Sequence, residues 1–199
     1  MLVIGAGVAL VSVAIAFFVF QRSIGLFTSF LITLAMTPFM VNLITFEEAR
    51  EEQLLKKKTK LNFLQRHREI LLVYSAFFAG VVLSLSFVYL LLPQATVAKI
   101  FEDQLNEIKL IRGSLVVADI FQRILLNNIG VLLISFLFSF LFGAGAIFIL
   151  SWNATILATA IGLTKKSVGG IAGLPVAVLI FLPHGSLEIL AYFIGGIAG

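Results

Sequence analysis

The chain has 199 residues, of which 60 % are apolar and only 12 % charged, against roughly 45–50 % and about 25 % in soluble domains. That balance excludes a water-soluble globule of this size, whose surface-to-volume ratio demands a polar shell. A formal charge of +4, with the basic residues confined to short stretches, argues against a nucleic-acid partner, and the absence of cysteine excludes disulfides, thiolate metal sites and cysteine nucleophiles.

Leu2 to Phe20 is apolar throughout except for Ser12. It is long enough to cross hydrocarbon as a helix, which takes roughly 20 residues. With no basic n-region, and with Phe17, Phe18 and Phe20 where a signal peptide would be cleaved, it reads as a span. Gln21, Arg22 and Ser23 make a tight polar turn. Ile24 to Phe46 forms a second span carrying Thr28, Ser29, Thr33, Thr37 and Asn42, with Pro38 inside it as a kink that side-chain hydroxyls can accommodate.

Residues 47–69 are the most charged stretch: Glu47, Glu48, Arg50, Glu51 and Glu52 lead into Lys56, Lys57, Lys58, Lys60, Arg66 and Arg68. Leu54, Leu55, Leu61 and Leu64 recur at near-helical spacing, which predicts an amphipathic helix and a basic turn. The stretch is either a solvated loop that fixes topology or a docking platform for anionic lipid or a partner. Its density of Lys and Arg argues for the cytoplasmic side. Lys99, Lys109, Arg112, Arg123, Lys165 and Lys166 vote the other way.

Ile70 to Leu92 is the third span, ended by Pro93. Residues 94–123 are too polar to cross and too long for a turn. Val97, Ile100, Phe101, Leu105, Ile108, Ile111 and Leu115 mark one helical face, and Lys99 and Asp103 form an i,i+4 pair on the other. This predicts an interfacial helix, broken near Gly113 and Ser114. Ile124 to Phe142 can cross next, Gly143 to Gly145 turns, and Ala146 to Thr164 can return. The competing parse runs one tilted helix to Leu150 and leaves a re-entrant piece after Trp152.

Val168 to Leu182 and Ser186 to Gly199 are each short for a crossing and are separated by Pro183, His184 and Gly185. Either one broken helix spans here, or two half-helices meet within the membrane. Ile194 to Gly199 ends in apolar residues without a basic or aromatic flank, and the expectation is a fragment of a longer protein. The fold class is therefore all-α: a polytopic integral membrane helical bundle with a broken or re-entrant C-terminal helix. It divides into an N-terminal two-helix hairpin (1–46), a charged cytoplasmic amphipathic loop (47–69) and a membrane domain (70–199) with an interfacial helix over 94–123. The expected location is the cell (plasma) membrane, as a multi-pass protein.

The polar residues within apolar stretches are the candidate site. A carboxylate such as Glu188 costs roughly 2.5–3.5 kcal/mol at mid-membrane on insertion scales, so it is paired or protonated there. His184 lies four residues before it, on the same helical face. With Asn127, Asn128 and Asn153 these residues form either a proton- or ion-responsive cluster or a structural pin, in which Glu188 accepts backbone donors at a half-helix N-terminus. Asn127 and Asn128 suit capping or interhelical hydrogen bonding. Asn153 beside Trp152 suits an interfacial anchor. Gly143, Gly145, Pro183 and Gly185 are the helix breaks and turns.

No catalytic, cofactor-binding or metal site is expected. His184 and Glu188 supply two ligands, short of a zinc set. Ser186 lacks the Gly-x-Ser-x-Gly setting, and there is no phosphate-cradling glycine loop.

The ordered run of Asn127-Asn128-Ile129-Gly130-Val131, Phe142-Gly143-Ala144-Gly145, Trp152-Asn153-Ala154 and Leu182-Pro183-His184-Gly185 with Glu188 resembles the stage II sporulation protein M (SpoIIM) family. The resemblance covers the chain from about Arg68 onward, and the two N-terminal spans resemble the extension of archaeal members. Sporulation members are membrane subunits of a complex that remodels septal peptidoglycan, anchoring it while partners hydrolyse. The resemblance thus implies a non-enzymatic organiser, with membrane lipid and protein partners at its interfacial helices and a homo-oligomer as one assembly. The alternative is a transporter- or channel-like protein with a polar path near His184 and Glu188.

Overall fold

A computed structural model of the chain describes residues 1–56, 65, 67–112, 126, 129, 133 and 145–168. Six helices are described: α1 (Leu2–Val19), α2 (Ile24–Lys56), α3 (Arg68–Leu91), α4 (Gln94–Ile100), α5 (Glu102–Arg112) and α6 (Gly145–Val168). Four of them, within α1, α2, α3 and α6, are long and apolar enough to cross a membrane. Among the described residues there is no strand. The all-α membrane bundle expected from composition is the fold.

The four long helices form a ring, α1 beside α2 and α3, and α6 beside α2 and α3. Side-chain contacts fix which ends meet. Phe20 stacks on Phe27 at 3.7 Å between ring centres. Lys99 lies over the Phe17 ring, and Lys166 over that of Tyr89. The C-termini of α1, α3 and α6 and the N-terminus of α2 therefore share one end, which α4 and α5 cross as a strap. At the other end Arg50 of α2 pairs with Glu69 of α3 at 3.2 Å.

The ring closes through small residues. Gly5, Ala9, Ser12 and Ala16 are the buried positions of α1, spaced four, three and four apart, along with Val13. They let the α1 backbone approach its neighbour. At Gly80 of α3 an added Cβ would strike Leu2 O and lie 2.9 Å from Ala6 N, and at Gly5 it would lie 2.7 Å from Phe77 O. Backbone meets backbone there. The outward faces are apolar: Val3, Val11, Phe18, Leu34, Leu72, Leu83, Phe87 and Leu91 all stand well exposed. In water each would forgo about 1.5–3 kcal/mol of burial, whereas lipid tails solvate them.

Several expected boundaries shift. α2 does not stop at Phe46 but continues to Lys56, so the first part of the charged stretch is an extension of a spanning helix rather than a separate amphipathic one. The reason lies in the sequence, since no Gly or Pro interrupts residues 39–56. Pro38 sits inside α2, where Thr33 and Thr37 donate to the carbonyls of Ser29 and Thr33 at 2.8 and 2.7 Å. The expected turn at Gln21–Ser23 is present, closed by Ser23 at φ 52°. α6 runs unbroken through Trp152, which removes the parse with a break there. Leu126, Ile129 and Leu133 are helical and exposed. The broken C-terminal element lies outside the described residues.

Candidate functional site

Of the segment 94–123, expected to be an interfacial helix, residues 94–112 are described, and they form α4 and α5 rather than one helix. Phe101 (φ −105°, ψ 22°) interrupts it. The buried Phe101 ring packs on Tyr89, 5.3 Å away. The interruption also places Lys99 and Asp103 on different helices. Lys99 goes to the Phe17 ring, and the Asp103 carboxylate accepts the Leu26 N–H at 3.2 Å. Asp103 thus caps the first turn of α2 from another helix, where orphan N–H groups and the helix dipole both favour an anion.

Next to it, Gln104 turns inward and is fully buried. Its Nε2 donates to Thr155 Oγ1 on α6 at 2.9 Å. Ser29 Oγ of α2 lies 3.4 Å from the same Thr155 oxygen and donates to Gly25 O at 3.3 Å. Thr155 donates in turn to Trp152 O at 2.7 Å. The Gln104 amide thereby ties α5 to α6, at a hydroxyl that Ser29 of α2 also touches. The absence of a side chain at Gly25 makes room, because a Cβ there would overlap the Gln104 amide. The seam continues through Ser151 and Thr159 on α6 and through Ser86 of α3, which donates to Ala158 O at 3.4 Å.

Two seam atoms, Gln104 Oε1 and Ser151 Oγ, are buried and have no hydrogen-bond partner. The seam residues Ser29, Ser86, Gln104, Ser151, Thr155 and Thr159 are all neutral hydroxyls or an amide. Among the described residues no group of three or more His, Asp or Glu comes together.

Of the residues singled out in the sequence, Asn153 and Gly145 can be placed. Asn153 is half-buried, and its Nδ2 donates to Ile149 O of its own helix at 2.8 Å. Gly145 is buried and opens α6. Asn127, Asn128, His184, Glu188, Gly143, Pro183 and Gly185 lie outside the described residues. Sequence reasoning missed Gln104, although a signal was present: it falls seven residues after Val97 and four before Ile108, a polar residue on the apolar face.

Apolar spans with lipid-facing outer surfaces, closed around small residues and a neutral polar seam, define a helical integral membrane protein. The SpoIIM family model, stage II sporulation protein M, matches residues 24–199, and the chain belongs to that family. The match reaches back past Arg68 and takes in α2, leaving α1 outside it. No curated protein and no solved structure matches the chain.

Proposed function

We propose that this SpoIIM-family protein is a non-enzymatic organiser, anchored in the cell membrane as a multi-pass protein, that recruits protein partners through its interfacial strap. The observation that carries the reading is the seam under α5. Among the described residues it holds an amide and hydroxyls with no ionisable group, and the hydroxyls of Ser29, Thr155 and Thr159 return to backbone carbonyls of their own helices. Such an arrangement holds helices in register and offers no charge to a passing ion. Glu102, Asn106 and Lys109 of the strap stand exposed and are available to a partner. In this reading residues 47–69 face the cytoplasm, and α1, lying outside the family match, accords with an archaeal-type member.

A transporter-like reading rests on His184 and Glu188, two ionisable groups four apart in an apolar stretch. Flux measurements on reconstituted vesicles separate the two. The organiser reading expects proton and ion flux no greater than in empty vesicles, and no change on Glu188→Gln. Flux in the wild-type chain that Glu188→Gln abolishes overturns it. The recruitment claim is tested by purification in native lipid. A defined set of partners should remain with the wild-type chain and be lost from the charge-reversed Glu102→Lys, Lys109→Glu variant, while an equal set on both overturns it.

A further inference from the structure

The charges at the strap end of the bundle are sorted by element. The carboxylates Glu102, Asp103 and Glu107 all stand on α5. The turn after α1 carries Arg22, α4 carries Lys99 and the last turn of α6 carries Lys165 and Lys166, with no carboxylate on any of the three. Among the described residues none of these four cations has an ion pair, whereas at the opposite end Arg50 is paired with Glu69. Lys166 gives one donor to Gln94 and covers the buried Tyr89 ring. Lys99 makes no hydrogen bond among the described residues. Its ammonium lies 5.6 Å from the centre of the Phe17 ring and keeps three donors open.

Beside Lys99 the bundle is apolar and turned to lipid. The Phe17 ring meets that of Phe18 edge to face at 5.5 Å, so a single phenyl ring separates the ammonium from Phe18. Phe18 is 84 % exposed and Val19 64 %. Arg22, also exposed, follows three residues later in the turn. The carbonyl end of α1 lies here too, but among the described residues neither Lys99 nor Arg22 donates to it. An acyl chain beside Phe18 and Val19 therefore brings its phosphate to the height of two cations with open donors. Phosphate oxygens supply the acceptors and the charge these groups lack. The Phe17 ring also steadies the ammonium, which leaves less side-chain freedom to lose on binding. A free phosphate ion would meet the cations and leave the apolar flank unused; a phospholipid meets both.

We propose that Lys99 and Arg22 bind the phosphate of an anionic phospholipid whose acyl chains lie on Phe18 and Val19. The two cations select a headgroup of net negative charge over a zwitterionic one. This goes beyond the organiser reading and does not rest on it, since bound lipid is counted on the purified chain without any partner.

Native mass spectrometry of the full chain, released from micelles with added phosphatidylglycerol or phosphatidylcholine of the same acyl chains, measures the preference. The wild type should bind phosphatidylglycerol the more tightly. Lys99→Gln and Arg22→Gln should each reduce that preference roughly fivefold, and the two together about thirtyfold, the effect of one and two basic residues near an anionic surface. Lys99→Arg keeps the charge and should keep the preference. Lys109→Gln removes the same charge from α5, among its carboxylates, and should leave the preference unchanged. Equal binding of the two lipids by the wild type overturns the proposal, as does a preference that survives in the double variant. An equal loss in Lys109→Gln and Lys99→Gln also overturns it, since that means general attraction without a site. Displacement of phosphatidylglycerol by millimolar inorganic phosphate, beyond that by chloride of equal ionic strength, would assign the cations to a free ion and overturn the choice of lipid.

Discussion

Replacing Gly80 by Ala should weaken the bundle, although in an open helix the same change is favourable by about 1 kcal/mol. The added methyl would strike Leu2 O and come within 2.9 Å of Ala6 N, both backbone atoms of α1. No rotamer change can relieve backbone contacts. Ordinary contact begins near 3.4 Å, so the two helices must part by at least about 0.5 Å, the difference between these distances. Overpacking of this kind costs roughly 1–3 kcal/mol, which outweighs the helix-propensity gain over most of its range. Gly7, on α1, is the control, since a Cβ there meets nothing within 4 Å. Equilibrium unfolding in mixed micelles, followed by helical circular dichroism, should show Gly80→Ala destabilised and Gly7→Ala unchanged or slightly stabilised. Combining Gly5→Ala with Gly80→Ala should cost less than the sum, because helices already parted by one methyl admit the other. Equal stability of Gly80→Ala and Gly7→Ala would refute the close-crossing argument.

Thr155→Val keeps the shape but removes the acceptor for Gln104, and should lower stability by about 1–3 kcal/mol in the same assay. Adding Gln104→Leu should restore most of that loss, because both polar partners are then gone; an additive double variant would contradict the hydrogen bond. Glu69→Gln should change stability by less than about 1 kcal/mol, since its partnership with Arg50 is an exposed ion pair. A larger loss would mean that the pair does more than join two helix ends.

The spans could be read from sequence because runs of apolar residues at crossing length leave little alternative once a polar shell is ruled out. The starts of α1, α2 and α3 fall within two residues of their expected places for that reason. What escaped were features set by neighbours rather than by composition. The small stripe Gly5, Ala9, Ser12 and Ala16 is visible as spacing, but only packing against α3 shows what it is for. Phe101 breaks the strap without any Gly or Pro to announce it, as its ring packs on Tyr89. The Lys99–Asp103 pair was sound for a continuous helix and fails because of that break. Asp103 instead caps α2 across 77 residues of sequence, which no local pattern encodes. The cluster of Asn127, Asn128, His184 and Glu188 stays a sequence-level expectation, while the polar group that the described residues bring together is built on Gln104.

Solvation of the outer helix faces by lipid is the claim on which the rest depends, and single-cysteine labelling of membrane vesicles tests it most directly. Cysteines at Val11, Leu34 and Leu83, each at least 57 % exposed, should resist a water-soluble maleimide until detergent is added, while one at Asn106 reacts in vesicles opened at both faces. Labelling of Val11, Leu34 and Leu83 as fast as Asn106 before detergent would contradict the account.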